Sequence, residues 1–259
     1  WGEGRPGWHI ECSAMSMKYL GKHFDIHTGG IDHVPVHHTN EIAQSEGSFS
    51  EEDRKEGPWV NFWLHNNFLI LEGGKMSKSS GNFITLQTTL PAEKGYSLKD
   101  KGYEPLDYRF FLLGGHYRKP LVYSLNGMDS AKQGRAALYD RVARLVTKAN
   151  SEEKLGLTKD NFAKILKGCA SSAASENLTK FKEGLENDLL TPVALAAMQK
   201  ASSGKGYEKA SQALSDILQM DRVISLSVIE NAIALSEKAA AAASTPAADN
   251  HAGDPEAEE

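Results

Sequence analysis

The chain has 259 residues, enough for one large or two ordinary domains with a sizeable buried core. Hydrophobic residues make up 40% and charged residues 24%, which excludes collagen-like, disordered and disulfide-scaffold classes for most of the length. Thirty-four acidic against 29 basic side chains give a formal charge of −5, so binding to nucleic acid would need a local basic surface. No apolar run approaches the ~20 residues of a membrane span, and Trp1-Gly2-Glu3-Gly4-Arg5 lacks the apolar stretch of a secretory signal. A cytoplasmic address is the resulting expectation, with no membrane partner. Cys12 and Cys169, far apart and unlike in surroundings, point to a reduced compartment and not to a disulfide framework. The chain begins with tryptophan and reads as a fragment of something longer.

Up to about Ser124 the chain is rich in aromatics, histidines and glycines, with short apolar runs between turn signals, as in a segment of strands, loops and short helices. Cys12 stands in Gly7-Trp8-His9-Ile10-Glu11-Cys12. Downstream, Pro35-Val36-His37-His38-Thr39-Asn40-Glu41-Ile42-Ala43 predicts a helix opening on the proline, with Asp32 near its N-terminus. Phe68-Leu69-Ile70-Leu71 reads as a buried strand that would carry the following loop, Gly73 to Asn82, to a sheet edge. From about Gly127 the pattern is helical. Leu138, Val142, Leu145, Val146 and Ala149 form one apolar stripe, and further helices are predicted around Phe162–Leu166, after Thr191-Pro192, and around Leu214–Leu218. Ala239 to Ala243 reads as a frayed helix end before an acidic, low-complexity tail.

Two constellations carry chemistry. In a helix His37 and Glu41 share one face, and with Cys12 they offer imidazole, carboxylate and thiolate to a tetrahedral zinc, one position being left over. The same residues equally describe a solvated helix face and a buried apolar cysteine, and spacing does not choose. His9, His23, His27, His33 and His38 crowd the same segment as structural or nucleotide-facing groups. In the second, Gly73-Gly74-Lys75-Met76-Ser77-Lys78-Ser79-Ser80 has two ammonium groups among glycines and hydroxyls, suited to the charge that develops when pyrophosphate leaves a triphosphate. It lacks Walker spacing, and a flexible surface loop has the same composition.

Taken together these segments resemble one family. Lys75-Met76-Ser77-Lys78-Ser79 resembles the KMSKS loop of class I aminoacyl-tRNA synthetases. Gly4 to Ser13, His27-Thr28-Gly29-Gly30-Ile31-Asp32, His37-His38-Thr39-Asn40-Glu41, Gly115-His116-Tyr117-Arg118 and Tyr123-Ser124 resemble, in order, the cysteinyl-tRNA synthetase family. Glu186 to Pro192 is similar to a segment of that family's helical DALR-type domain. The family's HIGH motif and first zinc cysteine belong upstream of Trp1, and its small terminal domain belongs after Glu259. His27-Thr28-Gly29-Gly30 is not HIGH.

The resemblance implies an α/β fold class: the C-terminal half of a Rossmann-like catalytic domain over residues 1–124, with an all-α helical tRNA-binding bundle over 125–245 and a disordered acidic tail over 246–259. It implies ATP-dependent attachment of cysteine to tRNA through cysteinyl-adenylate, with zinc selecting the thiolate and magnesium accompanying ATP. Cys12, His37 and Glu41 would hold zinc. Lys75 and Lys78 would act in catalysis, Lys78 with Gly29, Gly30 and Asp32 would bind ATP, and Trp8 and His27 would contact cysteine. A monomer is expected, inactive by itself without the HIGH half. The alternatives are a cysteine–sugar ligase of the mycothiol type and a non-catalytic zinc- and tRNA-binding fragment. A basic strip of Lys132, Arg135, Arg141, Arg144 and Lys148 is the candidate tRNA surface.

Overall fold

The computed structural model describes residues 2–4, 6–72, 81–171 and 173–244. Lys75, Lys78 and the acidic tail lie outside the described residues. The chain divides into two compact units, residues 1–103 with 114–128, and residues 104–113 with 129–259.

The first unit contains α1 (Trp8–Leu20), β1 (Phe24–Gly30), α2 (Thr39–Gly47), α3 (Glu51–Glu56), β2 (Val60–Asn66), β3 (Leu69–Leu71), β4 (Phe83–Thr85), β5 (Gly95–Ser97) and β6 (Leu121–Tyr123). Its described strands form three parallel pairs, β1 with β2, β3 with β6, and β4 with β5. The expected strand before the lysine loop is β3, beginning one residue later than the apolar run, at Leu69, but it is not the buried strand expected: Phe68 and Ile70 are exposed and only Leu71 is buried. Gly95 is required by β4: at φ +145 a Cβ there would stand 1.8 Å from the Phe83 carbonyl oxygen. Phe49, Trp59 and Val60 form a small core, with Met17, Phe24, Ile42 and Trp63 packed on it. This core ties α1, β1, α2 and β2 together, and α1, α2 and the turn that leads into α2 bear the candidate metal residues.

The helix predicted from Pro35 differs in its opening. Ile31–His33 is a 3-10 turn and Val34–His38 a wider π-helical turn, and regular α2 begins only at Thr39. Pro35 has no N–H to give to an α-helical ladder, and Thr39 Oγ1 donates to the Val34 carbonyl five residues back at 2.7 Å. Both histidines of that turn, His37 and His38, are buried.

The second unit contains α4 (Pro105–Leu113), α5 (Leu125–Glu152) from Asp129 onward, α6 (Phe162–Lys167), α7 (Glu176–Glu186), α8 (Thr191–Ala201), α9 (Ala210–Ile224) and α10 (Val228–Ser244). Among its described residues the regular structure is helical throughout. The stripe read from the sequence is buried in its core: Leu138, Val142 and Val146 are fully enclosed, together with Leu214, Ile217 and Ile233. Asp188 and Leu189, both with positive φ, turn α7 into α8.

The basic strip on α5 is interrupted. Arg135 is buried and donates to Asp107 Oδ1 at 2.8 Å, to Glu104 Oε2 at 2.6 Å and to Tyr139 at 3.1 Å. Arg141 donates to Ser202 Oγ at 2.8 Å. Arg135, three residues before Leu138 and seven before Val142, continues the apolar stripe into the core, whereas Arg141 lies beside the stripe; periodicity alone does not show that Asp107 of α4 and Ser202 at the end of α8 meet them.

Candidate metal centre

In α1, Trp8 and Cys12 stand four residues apart and so share a face. That face meets the π-turn and the start of α2, where His37 and Glu41 repeat the same spacing. Trp8 stacks on His37 with ring centroids 3.4 Å apart and planes at 26°. One ligand atom from each of Cys12, His37 and Glu41 lies within 4.8 Å of the others. His37 Nε2 is 3.6 Å from Glu41 Oε1, and Ser13 Oγ donates to the Glu41 carbonyl at 3.4 Å. Residues 25 and more apart in sequence are thus gathered at one point by the packing of α1 on α2.

The donor set suits a divalent metal. Glu41 has no solvent exposure, yet its Oε1 accepts no hydrogen bond among the described residues, and His37 Nδ1 is likewise buried without one. A buried carboxylate oxygen without a partner is costly unless a cation satisfies it. Thiolate, imidazole and carboxylate together suit zinc, with one tetrahedral position left for another ligand.

Electrostatics differ between the donors. Burial pushes the Cys12 thiol above its ordinary range, and the Glu41 and Glu11 carboxylates push the same way. Burial holds His37 below the usual imidazole range against the opposing pull of Glu41. His38 falls to about 4, through burial first and then the neighbouring His27, His65, His33 and His37. Burial also lowers His65. His37, His38 and His65 are therefore neutral near pH 7, the state in which imidazole offers a lone pair.

Behind Glu41 stands a second layer. His27 Nε2 is 3.0 Å from Glu41 Oε2, so His27, read from the resemblance as a cysteine contact, hydrogen-bonds the carboxylate. His38 Nδ1 is 2.8 Å from His65 Nε2. His65 went unnoticed in the sequence because it stands alone in β2. The parallel register pairs His27 with Trp63 and Gly29 with His65, and period two puts all four on the same side.

Gly29 and Gly30 end β1, and Asp32 stands exposed in the 3-10 turn that follows, at a strand-to-helix junction. A Cβ on Gly29 would come within 2.5 Å of His38 Cε1 and 2.9 Å of His33 Nδ1. The bare Cα of Gly29 therefore makes room for imidazole rings. In Gly115-His116-Tyr117-Arg118, the Tyr117 carbonyl accepts from the Asn67 N–H at 2.7 Å, and that of Arg118 from the Asn67 side chain at 3.2 Å, fixing the link from β2 to β3.

Comparison with known proteins decides the family. The profile of tRNA synthetases class I (C) catalytic domain matches residues 1–133. The chain belongs to this family. The match runs past Ser124 into α5. The cysteine–tRNA ligase of Treponema denticola is 44% identical over 234 residues, covering 89% of this chain and 44% of the relative. That of Treponema pallidum subsp. pallidum is 38% identical over 253 residues, covering 90% of this chain and 46% of the relative. The chain thus spans somewhat less than half the length of these relatives. A solved ternary complex of Agrobacterium radiobacter K84 agnB2 LeuRS with tRNA and LeuAMS aligns with 86% of this chain and 28% of its own at 18% identity, with a TM-score of 0.49.

Proposed function

We propose that this chain is the metal-bearing part of a cysteine–tRNA ligase, the half of a Rossmann-like catalytic domain that selects the cysteine thiol, over residues 1–124, followed by a helical tRNA-binding domain over 125–245. One observation carries the reading: Cys12, His37 and Glu41 converge within 4.8 Å beneath Trp8. Zinc held by these three residues would offer a soft thiolate a position that the hydroxyl of serine fills poorly. Trp8 walls the site by stacking on His37. His27 holds Glu41 Oε2 and so fixes the carboxylate's rotamer.

The remainder of the proposal concerns residues with less geometry behind them. Gly29, Gly30 and Asp32 occupy the strand end where nucleotides sit in open parallel sheets, and are the proposed ATP contacts. Lys75 and Lys78 would meet the phosphate charge of ATP and magnesium, and Lys78→Ala in the whole protein is expected to lower kcat for activation much more than it raises KM for cysteine. Cytoplasmic location and a monomeric state belong to the same proposal; among the described residues no helix is long and apolar enough to cross a membrane.

The test is made on the whole protein. Zinc content near one per chain, falling on Cys12→Ser, together with cysteine-dependent pyrophosphate exchange and charging of tRNA, is the expected result. Pyrophosphate exchange without tRNA charging would transfer the reading to a cysteine–sugar ligase, and zinc without exchange would leave a binding fragment.

A further inference from the structure

Four short strands share one flanking helix. Among the described residues β3 runs parallel to β6 and β4 to β5, each pair over three residues. Pairs this short are marginal in water, so they depend on what their flanks are tied to. The connection from β3 to β4 carries the lysine loop, and α4 follows β5 and precedes β6, so α4 lies in the chain between the partners of the two strands that flank that loop. Both links to α4 are ordered. In 98–104 the Leu98 N–H donates to the Thr85 carbonyl of β4 at 2.9 Å and the Tyr103 N–H to the Leu98 carbonyl at 2.9 Å, with both side chains buried. In 114–120 Asn67 holds the Tyr117 and Arg118 carbonyls, and the Leu121 N–H then donates to the Phe68 carbonyl at 3.0 Å.

Helix α4 itself is seated by α5 and α9. Asp107 Oδ2 accepts from the Glu104 N–H at 2.8 Å at the start of α4, and its Oδ1 accepts from Arg135 Nε at 2.8 Å. Gly134, beside Arg135, leaves space for the Phe110 ring, since a Cβ there would stand 3.0 Å from Phe110 Cε1. Arg109 Nε donates to the Ile224 carbonyl at the end of α9 at 2.6 Å. A buried ion pair contributes little net stability over apolar packing of the same shape, and what it supplies here is one fixed geometry for α4. We propose that Arg135 is a positioning residue for cysteine activation: by holding α4 through Asp107 it fixes β5 and β6, and through them β4 and β3, the strands on either side of the lysine loop. Its effect on activation rests on the proposed ligase chemistry, whereas its effect on the strands does not.

Amide hydrogen exchange separates positioning from mere packing. It is measured on the whole protein for wild type, Arg135→Met, Arg135→Lys, Gly134→Ala and Leu166→Ala, the last removing a fully buried side chain of α6 as a control for bundle stability. Arg135→Met should speed exchange in residues 69–71, 83–85, 95–97 and 121–123 by about tenfold and leave β1 and β2 unchanged. Gly134→Ala should loosen the same four strands although alanine favours helix over glycine, because its methyl group displaces Phe110. Leu166→Ala should lower the unfolding midpoint and leave the four strands as in wild type. In cysteine-dependent pyrophosphate exchange, Arg135→Met should lower kcat about 10–100-fold with KM for cysteine unchanged, as a small displacement remote from the chemistry does. Arg135→Lys should recover part of the rate, its ammonium meeting Asp107 without the guanidinium fork. Strands that exchange no faster in Arg135→Met than in Leu166→Ala would overturn the proposal and make Arg135 a packing residue. Faster strands with an unchanged kcat would overturn the role in activation. A wild type without pyrophosphate exchange would overturn the ligase reading and that role with it, and the strand comparison would still decide whether Arg135 holds the four strands.

Discussion

At the scale of the residue, two positions have the least freedom. Gly29 accepts no side chain while His38 and His33 keep their rings, because a Cβ would stand 2.5 Å from one and 2.9 Å from the other. Gly29→Ala should therefore push His38 off His65 and destabilise the first unit by about 1–3 kcal/mol, the usual cost of overpacking. Denaturant unfolding measures the loss, and a shifted His38 imidazole resonance locates it; an unchanged midpoint and resonance would mean that the rings yield freely. In the second unit, Asp107 has no solvent exposure and holds the buried Arg135 guanidinium at 2.8 Å. Glu104, the other carboxylate on Arg135, is exposed and screened. Asp107→Ala leaves the buried guanidinium with that exposed carboxylate as its remaining counter-charge and the Tyr139 hydroxyl as a neutral partner, and stability should fall by about 3–5 kcal/mol. Glu104→Ala should cost under about 1 kcal/mol, and equal losses for the two variants would contradict this division.

At the scale of the element, the short α3 depends on its cap. Ser50 Oγ accepts from the Asp53 N–H at 3.2 Å, Asp53 Oδ2 accepts from the Ser50 N–H at 2.9 Å, and Lys22 adds an ion pair at 2.6 Å. These contacts, the Lys22 hydrogen bond foremost, hold the Asp53 carboxyl down to about 2 from its ordinary 3.8. A depressed acid stabilises the fold above its unfolded pKa and loses that contribution as pH falls through its folded pKa. The contribution of Asp53 is therefore complete above about pH 4 and declines toward about pH 2. Its carboxyl resonance should titrate near the lower value, and Lys22→Ala should move the midpoint upward; a midpoint unmoved by that change would mean the ion pair is absent in solution. Elements also differ in how plainly the sequence announces them. The α5 stripe was legible because Leu138, Val142 and Val146 all enter one core. Helix α10 was obscured because the alanine run at its end dominates the reading, whereas its anchors are Val228, Ile229, Ala232 and Ile233 at its start. Similarly, Cys12, His37 and Glu41 were legible as donor types, but their convergence needs α1 on α2, and the role of His65 needs the β1–β2 register.

At the scale of the whole molecule, net charge and local charge lead to different expectations for RNA. This chain carries a net charge of −5, so the proposed tRNA binding calls for a local cationic surface, and five residues of α5 are the candidates for it. Burial and pairing change that list. Arg135 is enclosed and ion-paired, and Arg141 is directed to Ser202. Arg144 and Lys148 remain exposed, and Lys148 lies 3.7 Å from Glu152 in a solvated pair that a phosphate can displace. Each cation that neutralises a phosphate contributes ~0.7–0.9 to the slope of log affinity against log salt, and a cation already sharing its charge with a carboxylate contributes less. Replacing Arg144 and Lys148 together with alanine in the whole protein should therefore lower the slope by about one, not about two, and weaken tRNA binding at low salt. Glu152→Gln should act oppositely, freeing Lys148 and steepening the slope. Cysteine-dependent pyrophosphate exchange should be unchanged in both variants, because none of the three residues belongs to the proposed activation machinery. Filter binding across a salt series distinguishes the outcomes: parallel lines for wild type and the double variant would make α5 an ordinary solvated face and move the tRNA surface to other helices.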